Sequence, residues 1–288
     1  MNMSKLAWAG WSVLPVIVLA YHFGPGQAVY QRGQAAQILS RAASLEDKAQ
    51  AAQNLAHQKH LAWVAARKQA VQTKAPEDER AASQAAADAD AAYVQASQAW
   101  HATADSLTSA QGILETLESP KAGEVRIAKD RALIRSGEIA AGVNDLDGWL
   151  DELTDKGQAE TPLAKQARAE VATGYYYAAR LMRLAGKPTN EWMEAASWAR
   201  QNFRYVAEED AAAGDPGDQQ KNLELALNLE QSNGDDLIAM PLAKNSPCKG
   251  NCQNINKLGE GRKKSKKPPQ GKKDSRGAGG VGDLPPGW

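Results

Sequence analysis

The chain has 288 residues, a length of one or two domains, and its 34 basic residues balance 34 acidic ones. Its 25 Leu, 8 Ile, 12 Val and 2 Phe make up about 16% of it, below the roughly 20% of an ordinary globular core. The zero net charge excludes the strongly charged disordered class, and the wealth of Ala, Gln, Glu, Lys and Arg predicts helices with thin interfaces, so the expected fold class is all-α. The charge is unevenly spread. From Lys244 onward 11 basic residues face Glu260, Asp274 and Asp283, so a net +8 tail follows a body of −8.

The first element is an uncharged apolar run from Leu6 to Phe23, preceded by Lys5. As a helix it would span about 27 Å, close to the ~30 Å of a bilayer core. Trp8 and Trp11 near one end and Tyr21 near the other suit interfacial positions. Residues 1–26 therefore read as a membrane anchor or a signal segment. The early aromatics, and the polar, non-acidic helix that follows directly, favour a retained anchor. Lys5 on the inner side then places the body outside the cytoplasm. The expected location is a bacterial inner membrane with a single pass and a periplasmic body, the alternative being a secreted or periplasmic chain after cleavage.

Residues 27–118 are almost wholly Ala, Gln and charged residues, with Pro76 as the one proline before Ser119. The pattern predicts a helix over 27–73, a tight turn, and a helix over 77–117 that begins on the acids of "APEDER". Ile38, Leu39, Leu45, Ala49, Ala52, Leu55, Ala62 and Val71 recur at helical steps. Ala85, Ala89, Ala92, Ala96 and Ala99 form a facing stripe, which predicts an antiparallel coiled-coil hairpin. His57 and His60 share a face, but no third ligand completes a metal set, so no metal or cofactor is expected.

Gly and Pro punctuate residues 121–232 at Gly137, at Gly157 with Pro162, at Gly186 with Pro188, and at Gly214 with Pro216. Between them lie amphipathic helices, the last being "DQQKNLELALNLEQSNG". The stretch "SGEIAAGVNDLDGWLDEL" and the Gly174–Tyr177 pair in "ARAEVATGYYYAARLMRLAG" resemble tetratricopeptide-type helical repeats. The loops and helices are longer than that family's period of about 34 residues. The resemblance implies a scaffold whose concave face holds a peptide or protein, and it implies no catalytic residues. Trp149, Tyr176, Trp192 and Trp198 are the candidate partner contacts. Core packing is the competing role of these aromatics, and at least one of Tyr175, Tyr176 and Tyr177 is expected at the surface. Asp145, Asp147, Asp151, Glu152 and Asp155 read as a solvated helix face without the ligand order of a calcium loop. No nucleophile elbow, phosphate loop, zinc-protease or dinucleotide motif is present, so an enzyme is not expected.

Residues 233–288 read as a disordered basic tail carrying Cys248 and Cys252. Outside the cytoplasm two such cysteines favour a local disulfide, with free or intermolecular thiols and a metal site as alternatives. Arg262, Lys263, Lys264, Lys266, Lys267, Lys272 and Lys273 are the candidate polyanion contacts. In that compartment anionic lipid or envelope polymer is the expected contact, and nucleic acid is not. The reading is therefore a membrane-tethered helical scaffold, held by residues 6–23, whose partners are envelope proteins or a second copy of the chain. The alternative is a polyanion-binding protein acting through its tail.

Overall fold

The computed structural model describes residues 3–212 and 217–239, all helices and short turns, with no strand among the described residues. Cys248, Cys252, the basic residues of the tail and the turn at Gly214 and Pro216 lie outside the described residues. Helix α1 runs Met3–Phe23 and α2 runs Pro25–Thr73. Only Gly24 separates them, so α2 follows α1 almost without a break. Closure is local to glycine: a Cβ on Gly26 would stand 2.7 Å from the Tyr21 carbonyl oxygen. Pro15 sits inside α1.

The 49 residues of α2 make a rod of about 73 Å. Its last turn is closed by Lys74 in the left-handed region, whose N–H reaches the Ala70 carbonyl. Helix α3, Pro76–Thr116, starts with proline in its first turn and with Glu77, Asp78 and Glu79 at the positive end of its dipole. Thr73 Oγ1 donates to Asp78 at 2.5 Å and Gln69 Nε2 donates to its other oxygen at 2.9 Å, fixing the turn. Further from the turn, Lys59 pairs with Asp88 at 4.0 Å and Trp100 Nε1 donates to Gln53 at 2.9 Å. The two helices therefore run antiparallel.

Their seam has a regular period. On α2 the buried residues include Ala35, Ala42, Ala49 and Ala56, each seven apart. On α3 they include Ala89, Tyr93, Ala96, Trp100, Thr103, Leu107, Ala110 and Leu114, alternating by four and three, with Ala92 and Ala104 buried beside that line. That alternation keeps a helix's apolar line on its partner. The observed line differs from the expected one. Leu55 and Val71 point outward at 46% and 68% exposure, Ala62 is exposed, and Ala85 and Ala99 are only half-buried. When nearly every face carries alanine, the large residues Tyr93, Trp100 and Leu107 set the register.

From Ala122 the helices shorten and the packing thickens. Helices α4 (Ala122–Ser136), α5 (Ile139–Asp155), α6 (Pro162–Leu184), α7 (Thr189–Ala212) and α8 (Gly217–Gln231) each pack on the one before, and α4 packs back on α3. Gly137 ends α4 with φ 104°, a conformation that disfavours any side chain. Thr161 caps α6 by accepting from the Ala164 N–H. Helices α4 and α5 approach until a Cβ on Gly142 would meet the Asp130 carbonyl oxygen at 2.6 Å, and α6 meets α5 where a Cβ on Gly174 would touch Val143 at 2.3 Å.

Helix α6 is the centre of this block. It contacts α4, α5, α7, α8 and the six-residue α9, Gly234–Ala239. Every residue from Val171 to Arg183 is buried or half-buried. Tyr175, Tyr176 and Tyr177 are all buried, against the expectation that one would be exposed. Neighbours on all sides, rather than one core face, cover the three directions in which they point. Residues 234–239, expected within the tail, instead pack α9 on α6 and α2.

Candidate functional site

The candidate contact residues belong to the interior of the block. Tyr176 has no exposure, Trp149 and Trp192 retain 8% each, and Trp198 is half-buried against the same core. Three of the four thus serve packing, because α6 and its neighbours enclose them. Only Trp198 keeps substantial surface, with its ring stacked 6.4 Å from that of Tyr175.

Arginines, which the sequence pattern did not single out, organise this interior. Arg183 donates to the Leu229 and Ser232 carbonyls at the end of α8, and its guanidinium lies 4.7 Å from the Trp192 ring centre. It thereby serves the orphan carbonyls of a helix terminus. Arg180 donates to the Leu237 carbonyl at 3.1 Å and anchors α9. His60 contacts the Ile238 carbonyl at 3.2 Å and lies 6.0 Å from the Tyr93 ring, so the short α9 bridges the long pair of helices to the block. Arg135 lies 4.8 Å above Trp100, and Arg131 pairs with Glu170 at 2.6 Å and Glu46 at 3.9 Å. A cation over an indole face is favoured by the ring quadrupole.

The expected solvated acidic face divides. Asp147 accepts from the Tyr175 hydroxyl at 2.8 Å. Asp145 accepts from Arg126 at 2.7 Å and from Lys129 at 2.7 Å, and Lys129 also pairs at 3.1 Å with Asp130, which has no exposure. Burial, reinforced by the Asp145 carboxylate, pushes the Asp130 carboxyl up to about 8 against the pull of Lys129. Burial also works to raise Asp145, but hydrogen bonds from Arg126, Asp130 and Lys129 outweigh it and hold that carboxyl well below its ordinary range. Asp130 is thus largely the neutral acid at pH 7 while Asp145 remains a carboxylate. Arg126 and Lys129 of α4, both paired with Asp145, tie α4 to α5.

Histidines form no cluster. His101 stands 3.8 Å from Glu138, while His60 packs among Trp63 and Tyr93. Among the described residues no group of three or more His, Cys, Asp or Glu is placed to hold a metal ion.

At the other end of the chain, one helix among the described residues is long and apolar enough to cross a membrane, and its apolar window near the N-terminus has none of its residues buried. Trp11 is 78% exposed, and Leu14, Val16, Ile17 and Leu19 are all exposed. A core helix of a soluble protein would be covered by its own chain; this one is not, while a signal sequence meets the same test of length and composition.

No family model matches the chain, and no curated protein and no solved structure matches it.

Proposed function

We propose that the protein is a membrane-tethered, non-enzymatic scaffold of the bacterial envelope, anchored in the inner membrane by α1 with its body on the periplasmic side, and that the block from α4 to α9 holds partner proteins. The observation that carries this reading is the exposed apolar run Val13, Leu14, Val16, Ile17, Val18 and Leu19 of α1, joined through a single residue to a 49-residue helix. Apolar side chains on that scale are stabilised in lipid and costly in water. A rigid rod directly after the anchor holds the block at a set distance from the bilayer. The succession of packing supports a tetratricopeptide-like block: α4 touches α5 and α6, and α6 touches α7 and α8. The alanine seam of α2 and α3 is read as an antiparallel coiled coil whose period supports the rod.

Cross-linking of the full chain in native cells tests the proposal against a chain lacking residues 253–288. Capture of the same envelope proteins by both supports the scaffold. Loss of capture with the shortened chain overturns it in favour of a polyanion-binding tail.

A further inference from the structure

Helix α9 is held by few groups. Among its described side chains only Leu237 is buried, at 2% exposure, while Ile238 is half-buried and Asp236 is exposed. The Leu237 carbonyl accepts from Arg180 on α6, and the Ile238 carbonyl meets His60 on α2. Within the segment, Asn233 caps the start by accepting from the Asp236 N–H at 2.8 Å. Six residues are too few to hold a helix in water, so α9 is helical because it is docked.

Docking works against itself at Arg180. With α9 in place Arg180 is 6% exposed, and its Nε is sealed from solvent without an acceptor. Among the described residues no ion pair joins it. Burial pulls its pKa below the ordinary arginine value, and the groups that oppose the shift are Tyr176, Tyr93 and Tyr177 rather than a carboxylate. The guanidinium therefore gives up its water for one neutral carbonyl. Arg183, one turn further along α6, is better served, with two carbonyls of the α8 end and the Trp192 face. Burial of Leu237 favours docking, while desolvation of Arg180 and the ordering of the segment oppose it.

The place of α9 gives this balance a consequence. The packing of α3 on α4 reaches Ser97, whose hydroxyl donates to the Ser136 carbonyl at 2.6 Å. One turn beyond Ser97 stands Tyr93, beside His60, where α9 spans from α2 to α6. The rod is thus held to the block by a fixed contact near the α3–α4 turn and by a second, lightly held contact further out.

We propose that α9 is a releasable strap: docked, it fixes the angle between the rod and the block, and released, it returns Arg180 and His60 to water and leaves the block hinged on the 117–121 turn. The strap concerns the joint alone, so it stands or falls apart from the scaffold reading.

The test uses the purified full chain in detergent. By hydrogen exchange, the Asp236 and Leu237 amides should exchange at least about a hundredfold faster than those of Val171–Arg183, because they open locally. Spin labels at Gln58→Cys on α2 and Glu194→Cys on α7, with Cys248→Ser and Cys252→Ser, read the joint. The otherwise unaltered chain should show a narrow distance and a second, broader population. Leu237→Asp should leave only the broader one, with the melting of the block little changed. The proposal is overturned if α9 exchanges as slowly as α6, if one narrow distance persists in Leu237→Asp, or if Leu237→Asp unfolds the block, which would make α9 part of its core.

Discussion

The long pair α2–α3 and the block α4–α9 solve the same packing problem with different side chains. Alanine, placed every seven residues on α2, lets two helices approach closely over a long distance but buries little area per turn. The block buries Trp149, Tyr175, Tyr176, Tyr177, Trp192 and Phe203 within six helices and gains far more apolar burial per residue. A thin seam suits a rod, where every turn contributes a little and no single position dominates. A thick core suits a body that holds polar groups such as Asp130 and Arg168 inside it. The difference shows that the low content of Leu, Ile, Val and Phe does not weaken the whole molecule evenly. Among the described helices it is deepest in the rod, and the block adds buried aromatics.

The largest effect should come from emptying the block. Phe203 is fully buried, and Phe203→Ala should cost about 3–5 kcal/mol in denaturant unfolding, the range for an aromatic lost from a core. A comparable loss is expected for Trp100→Ala, which also strands Gln53, because Trp100 is where the rod meets α4 through Arg135. If Trp100→Ala cost much less than Phe203→Ala, the two regions would be energetically independent rather than joined at that residue.

The seam should fail in the opposite direction, by overfilling. Ala49 has no exposure, so Ala49→Leu should force the rods apart and cost about 1–3 kcal/mol. A stabilising result would mean that the interface is loose, not close-packed.

Charge inside the block gives a pH-dependent difference. The folded pKa of Asp130, about 8, lies above the roughly 4 of an unfolded aspartate, so the native state keeps a proton that the unfolded chain releases. Stability from this group is therefore highest at acid pH and declines as pH rises from about 4 to about 8. Asp145 runs the other way: its contribution is present above about pH 4 and is lost below it. Asp130→Asn should flatten the decline and raise stability near pH 8.5 by about 1 kcal/mol or more, while Asp145→Asn should lower it at pH 7. Thermal scans across pH check both signs.

The smallest effect belongs to the outward face of the rod. Val71→Lys should change stability by no more than about 0.5 kcal/mol, although valine there falls on the helical period read from the sequence.

These contrasts also explain what could be read before the structure. The all-helical character was legible, and so were helix ends at Pro76, Gly137 and Gly186, where proline chemistry and positive φ leave few alternatives. The seam was not legible in detail. A run such as "AASQAAADADAAYVQASQAW" offers alanine on every face, so apolar period alone cannot choose between Ala85–Ala99 and the line through Tyr93 and Trp100. Three adjacent tyrosines predict at least one exposed ring, an expectation that fails when a helix is enclosed all round. The buried arginines went unnoticed because a charged residue in an amphipathic helix reads as solvent-facing. Their acceptors, such as the Leu229 and Leu237 carbonyls, lie 46 and 57 residues away.

The most direct test of the account is protease accessibility of the full chain in bacterial cells whose outer layer alone has been opened. The account predicts that the chain sediments with membranes, resists extraction by alkaline carbonate, and loses its body to protease added from outside. A full-length chain in the soluble fraction, or one digested only after the inner membrane is broken, would contradict it.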